Sequence, residues 1–126
     1  MERVLWDRSQ RVIRAAMAVH TELGCGLLES TYEACLAEEL RRSGHQVRTQ
    51  VPLPVVYRGV ELEHAYRIDL LVDDDIVVEL KTVEKLTPMH TAQLLTYLKF
   101  SQRRIGLLLN FHTLHLRDGI KRLVNG

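Results

Sequence analysis

Residues 67–81, RIDLLVDDDIVVELK, decide how this chain folds and where its chemistry lies. Ile68, Leu70 and Val72 alternate with Arg67, Asp69 and Leu71, and Ile76, Val78 and Leu80 alternate with Val77, Glu79 and Lys81. This period of two predicts two half-buried strands, and the cluster Asp73 to Asp75 between them predicts a turn. With all three aspartates in the loop, Val72 faces Ile76, Leu70 faces Val78 and Ile68 faces Leu80, which makes one apolar face. The other face then sets Asp69 across from Glu79 and Arg67 across from Lys81. Cross-strand partners have Cβ atoms roughly 4.5–5.5 Å apart, and like charges placed so are destabilising. Two carboxylates held together beside an ammonium meet the needs of divalent-metal chemistry on a phosphodiester. The inference turns on register, because a slip of one residue sends every side chain to the opposite face.

Upstream, Asp7-Arg-Ser-Gln10 has the form of a capping box. The apolar stripe Val12, Ile13, Ala16, Met17, His20 and Leu23 then predicts a first helix, ended by Gly24 and Gly26. A second helix is expected over Leu27–Ser43, with Leu28, Tyr32, Cys35, Leu36 and Leu40 inward, and Gly44 stops it. His45–Tyr57 reads as a strand whose Pro52 and Pro54 suit a sheet edge, and Arg58-Gly59 turns the chain into Val60–Val72. Downstream, Thr87-Pro88 is a helix start, and that helix should run to Phe100 with Thr91, Leu94, Leu95 and Leu98 buried. The unbroken apolar run Ile105–Leu109 predicts a strand covered on both faces, so that strand, helix and strand make a right-handed β-α-β crossover. The tail, Leu114 to Val124, reads as a short edge strand plus a helical turn. The order α-α-β-β-β-α-β points to an α/β fold, a mixed β-sheet flanked by helices on both faces.

At 126 residues, the chain is expected to form a single domain over residues 1–126. No apolar run approaches the ~20 residues of a membrane span, and MERVLWDRSQ lacks the pattern of a secretory signal. Cys25 and Cys35 form no CxxC, so neither a disulfide framework nor a zinc site is expected, and a reducing cytoplasm is the expected location. A net charge of +1 neither demands nor excludes nucleic acid. The basic pairs Arg41-Arg42, Arg103-Arg104 and Lys121-Arg122 each read more simply as solvated surface.

Hydrolysis of a phosphodiester with metal assistance needs oxygen ligands for Mg²⁺ or Mn²⁺, a cation near the attacking water, and rigid geometry. Asp69, Glu79 and Lys81 supply these groups, and the Leu80 carbonyl is a further hard ligand. Alone, the D-x(n)-E-x-K pattern is weak, since a solvated strand face matches it equally well. Glu29 adds to it. On a helical wheel it falls between Leu36 and Leu40 on the inward stripe, where a carboxylate is costly unless paired or bound to metal. Glu33 lies at the stripe's edge and reads as solvated, whereas Glu39 falls on the apolar side without a role. Gln93 and Tyr97, four apart at the rim of the helix's apolar stripe with His90 a turn earlier, can orient water, lysine or phosphate, although taken alone they read more simply as a polar helix flank. His20 reads as a hydrogen-bonded core histidine, and His112 and His115 are assigned nothing. There is no Gly-rich phosphate loop, nucleophile elbow or HExxH.

Taken together, Glu29, Asp69, Glu79-Leu-Lys81 and Gln93-xxx-Tyr97 resemble the PD-(D/E)xK nuclease superfamily, in the branch with a QxxxY motif. Gly26-Leu-Leu-Glu29-Ser-Thr-Tyr32 resembles the signature of the GxxExxY protein family. The likeness extends over nearly the whole chain, through Val19-His20, Gln50-Val-Pro-Leu-Pro, Gly106-Leu-Leu-Leu-Asn110-Phe111 and Gly119-Ile-Lys-Arg122. It implies a restriction-endonuclease-like fold and a catalytic set of Glu29, Asp69, Glu79, Lys81, Gln93 and Tyr97. The metal ligands expected are Asp69, Glu79 and Glu29 of that set, together with the Leu80 carbonyl. One departure is Ile68, where the family's pattern has proline before the aspartate. The resemblance implies a Mg²⁺- or Mn²⁺-dependent nuclease on DNA, with RNA as second choice. So small a domain offers little surface of its own for duplex, so a homodimer or a protein partner supplying DNA contacts is expected. The competing class keeps the fold as a nucleic-acid-binding or protein-interaction module without turnover.

Overall fold

The apolar stripe of the first helix extends further toward the amino terminus than the capping box allows. Leu5 is buried in register with Ser9, Val12, Ala16 and Val19, so the stripe begins ahead of Asp7 and the helix gains more than a turn before that residue. In the computed structural model, which describes residues 2–126 with the side chains of residues 63–65 excepted, helix α1 accordingly spans Glu2–Leu23. Asp7 to Gln10 lie inside it and cap nothing. Helix α2 spans Glu29–Arg42, and its inward face carries Tyr32, Leu36, Ala37 and Leu40. Leu28, expected inward, is 74% exposed because it precedes the first turn. The Tyr32 ring stacks on Phe111 at 4.6 Å between centroids. Its hydroxyl donates to the Gly24 carbonyl (2.5 Å) and accepts from the Leu27 amide (3.2 Å), which pins the α1–α2 connection.

Strands β1 (Val47–Tyr57), β2 (Val60–Val72), β3 (Ile76–Lys81), β4 (Ile105–Asn110) and β5 (Ile120–Val124) form one sheet in the order β1-β2-β3-β4-β5. Helix α3 (Pro88–Ser101) connects β3 to β4, the one parallel pair; the other pairs are antiparallel. β1, with its two prolines, takes the edge. A 3-10 turn at Leu116–Gly119 leads into β5, which is the other edge. Side chains alternate across the sheet, so two cores form. Leu70, Val72, Ile76, Val78, Leu80, Leu107 and Leu109 pack under α1 and α2. Leu71, Val77 and Leu108 pack under Leu94, Tyr97 and Leu98 of α3. The mixed sheet with helices on both faces is therefore as expected. On α3, Leu95, expected to be buried, is 41% exposed, and Tyr97 is buried in its stead.

β3 departs from a half-buried strand. Val77 and Glu79 are buried along with Ile76, Val78 and Leu80, because α3 covers the face that alternation alone would leave to water. The turn register holds, with Val72 opposite Ile76 and Leu70 opposite Val78. Asp73 and Asp74 adopt positive φ in the loop, a conformation that aspartate tolerates better than most residues. Beyond Leu70 and Val78 the expected pairing of Ile68 with Leu80 fails: Ile68 joins the core under α3, while Leu80 belongs to the core under α1 and α2. The cause lies in the two charged residues between. Carboxylates of Asp69 and Glu79 take backbone amides that a regular ladder would have used, and Gln50, beside Asp69 on β1, kinks at φ +51°.

Candidate active site

Asp69 and Glu79 exchange hydrogen bonds crosswise between the strands. The Asp69 amide donates to Glu79 Oε1 at 3.0 Å, and the Leu80 amide donates to Asp69 Oδ2 at 2.9 Å. Each carboxylate is thus fixed by the backbone beside the other. Glu79 is 4% exposed. Burial, and then the charge of Asp69, push its carboxyl up to about 8, against the weaker opposing pull of the Asp69 amide and Lys81. At neutral pH, Glu79 therefore carries a proton when no cation is present.

Lys81, two residues on, extends toward α3, where Nζ donates to Gln93 Oε1 at 3.1 Å. The Gln93 amide donates in turn to the Tyr97 hydroxyl at 3.3 Å. Burial, and then the charges of Glu79 and Asp69, raise the Tyr97 phenol to about 12, so it stays protonated. The spacing of four between Gln93 and Tyr97 makes this relay possible, since residues i and i+4 share a helix face. His90, one turn earlier, closes the start of α3: its Nδ1 accepts from the Thr87 amide at 3.0 Å.

Glu29 does not sit under the sheet as the wheel implied. α2 begins at this residue, so its side chain lies at the open end of the helix and is exposed. It still feels the centre. Partial burial and the charge of Asp69 raise its carboxyl, while Lys81 and the Thr82 amide lower it. Glu29, Asp69 and Glu79 do not form a three-ligand cage; among the described residues no trio of acidic, cysteine or histidine side chains is arranged to hold a metal ion. His20 is a core histidine, its Nε2 2.8 Å from the Thr113 carbonyl oxygen.

Three residues support the centre that sequence reasoning left without a role there. The Gln50 amide donates to Glu33 Oε1 at 2.7 Å and to Asp69 Oδ1 at 3.3 Å, tying α2 to the strand kink. Glu33, expected to be solvated, has its carboxyl raised by burial and by the charges of Asp69 and Glu29, against the hydrogen bond from Gln50. The available signal was its position four residues after Glu29, which stacks the two on one side of α2. Asn110 is a third. Buried at the end of β4, it accepts from the Val83 amide (3.1 Å) and donates to the Val83 carbonyl (2.8 Å), clamping the loop after Lys81.

Do these residues suit a divalent cation? Oxygen donors of Asp69 and Glu79 are preorganised side by side, and the carboxyls of Glu29, Glu33 and Glu79 are all raised, first by burial and then by the charge of Asp69, both of which a cation would offset. Mg²⁺ is commonly held by one or two carboxylates with water completing its octahedron. The donor set fits such an ion, although it does not enclose one.

The order of strands, the parallel β3–β4 pair and the acidic centre on β2 and β3 define a restriction-endonuclease-like α/β fold. A family model described as the PD-(D/E)XK nuclease superfamily matches residues 7–123, and the chain belongs to that superfamily. No curated protein and no solved structure matches it. No helix among the described residues is long and apolar enough to cross a membrane.

Proposed function

We propose that this chain is a cytoplasmic Mg²⁺- or Mn²⁺-dependent nuclease of the GxxExxY branch, hydrolysing phosphodiester bonds of DNA. The observation that carries the reading is the crossed pair Asp69–Glu79 beside Lys81. Superfamily membership supports nuclease chemistry; the crowded, partly protonated carboxylates support the metal. Asp69, Glu79 and the Leu80 carbonyl would hold the ion, with Glu29 reaching it through water. Bound there, such an ion would supply Lewis acidity to the scissile phosphate and offset the charge that the site must tolerate. Gln93 aims the Lys81 ammonium, which orients the attacking water and neutralises charge building on the phosphate oxygens. Tyr97 fixes the Gln93 amide in the orientation that keeps its oxygen toward Lys81.

The test is Mg²⁺-dependent cleavage of labelled DNA. Lys81→Ala and Asp69→Ala should each cut cleavage by about 100-fold or more, with melting curves confirming that the variants fold. Cleavage that persists in both variants rules this site out as the nuclease centre. Absence of cleavage by the wild type on single-stranded, duplex and branched DNA and on RNA leaves the binding-module reading in its place.

A further inference from the structure

A groove of about 600 Å³ opens from Lys81 and runs between the β1–β2 arm and α3. Lys81 and Gln93 belong to both the carboxylate centre and this groove, while Tyr97 forms part of its floor. Its outer walls are large apolar and aromatic groups left open to water: Tyr66 is 47% exposed, Phe100 38% and Met89 75%. Exposed apolar groups gathered in one cleft mark a binding surface rather than chance. Tyr66 stands edge-on to Tyr97, with centroids 6.0 Å apart. The Lys99 ammonium lies 5.7 Å from the Phe100 ring centroid. Among the described residues that line the groove none is acidic, although Asp69 and Glu79 lie just beyond Lys81.

We propose that this groove takes an unpaired nucleobase of the strand being cut, so that the substrate is single-stranded DNA or a frayed end rather than intact duplex. The proposal rests on the nuclease reading of the Asp69–Glu79–Lys81 centre. The complementarity has two parts. Flat π-faces stack on tyrosine and phenylalanine whatever the base, and the phosphate attached to that base meets Lys81 at the inner end of the groove. A base inside a duplex has both faces covered by its neighbours and cannot offer one to Tyr66 or Phe100 without leaving the stack.

The experiment measures binding of fluorescein-labelled single-stranded DNA and of the blunt duplex of the same sequence, with Ca²⁺ replacing Mg²⁺. A 2-aminopurine near the strand end reports stacking. The single strand should bind about 10-fold more tightly than the duplex, with 2-aminopurine quenched. Tyr66→Leu and Phe100→Leu, both at exposed positions, should each weaken single-strand binding about 10-fold and relieve the quenching. Neither should alter duplex binding. Equal affinity for the two DNAs, or variants that leave affinity and quenching unchanged, overturns the proposal. Mg²⁺-dependent cleavage without quenching refutes the groove and leaves the nuclease reading standing. Quenching without cleavage supports the groove and refutes the nuclease.

Discussion

At the scale of single residues, the centre is a pair of carboxylates that the backbone forces together. The cost appears in Glu79, whose carboxyl is raised from an ordinary value of 4.5 to about 8. Its sign follows from linkage. Between those two values the folded chain keeps a proton that the unfolded chain has lost, so metal-free stability falls as pH rises across the window and levels off above it. A tenfold change in proton affinity corresponds to about 1.4 kcal/mol, so the whole rise amounts to a few kcal/mol. Thermal melts in EDTA should therefore show a melting temperature that declines from pH 5 to pH 8, whereas Glu79→Gln should flatten that decline. A parallel decline in the variant assigns the pH dependence to other groups. Asp69→Asn removes the charge that Glu79 feels, yet keeps an acceptor for the Leu80 amide. It should raise the melting temperature without metal above about pH 8, where Glu79 is otherwise charged; a clear fall there contradicts the crowding.

At the scale of elements, the kink at Gln50, where β1 runs beside Asp69 of β2, and the loop after β3 hold the site. Strand positions were legible from residues 67–81 because period-2 alternation and the triple aspartate fix both register and turn: β2 and β3 fall at Val60–Val72 and Ile76–Lys81, as the pattern predicts. The side of the sheet taken by Ile68 was not legible, since alternation assumes a continuous ladder and here side chains replace ladder bonds at Asp69 and Glu79. Glu29 was misplaced for a related reason. A helical wheel treats every position as mid-helix, and Glu29 stands at the first turn, where the face opens to solvent. Glu33 and Gln50 find each other across 17 residues and two elements, a contact that no local pattern encodes. Gly119 illustrates how tightly the supporting elements fit. A Cβ there would lie 2.6 Å from the Asn110 carbonyl oxygen, which is backbone and cannot swing aside. Gly119→Ala should thus cost about 1–3 kcal/mol and disturb the Asn110 clamp on Val83, lowering cleavage as well as melting temperature. An unchanged melting temperature counts against this packing.

At the scale of the whole molecule, two cores on opposite faces of one sheet bring three separate stretches to one place: the start of α2, the kink where β1 meets β2, and the end of β3. α3 then supplies Gln93 and Tyr97 from the other side, so the lysine is aimed by a different layer from the one that carries Glu29. The account depends above all on the space beside Asp69 and Glu79 accepting a divalent cation. The most direct measurement is calorimetric titration of Mn²⁺ at about pH 6.5 in buffers of differing protonation enthalpy, on the wild type and Glu79→Gln. The account predicts wild-type binding coupled to proton release, because Glu79 must ionise to act as a ligand, with both effects lost in the variant. Binding that releases no proton, or that Glu79→Gln leaves intact, contradicts it.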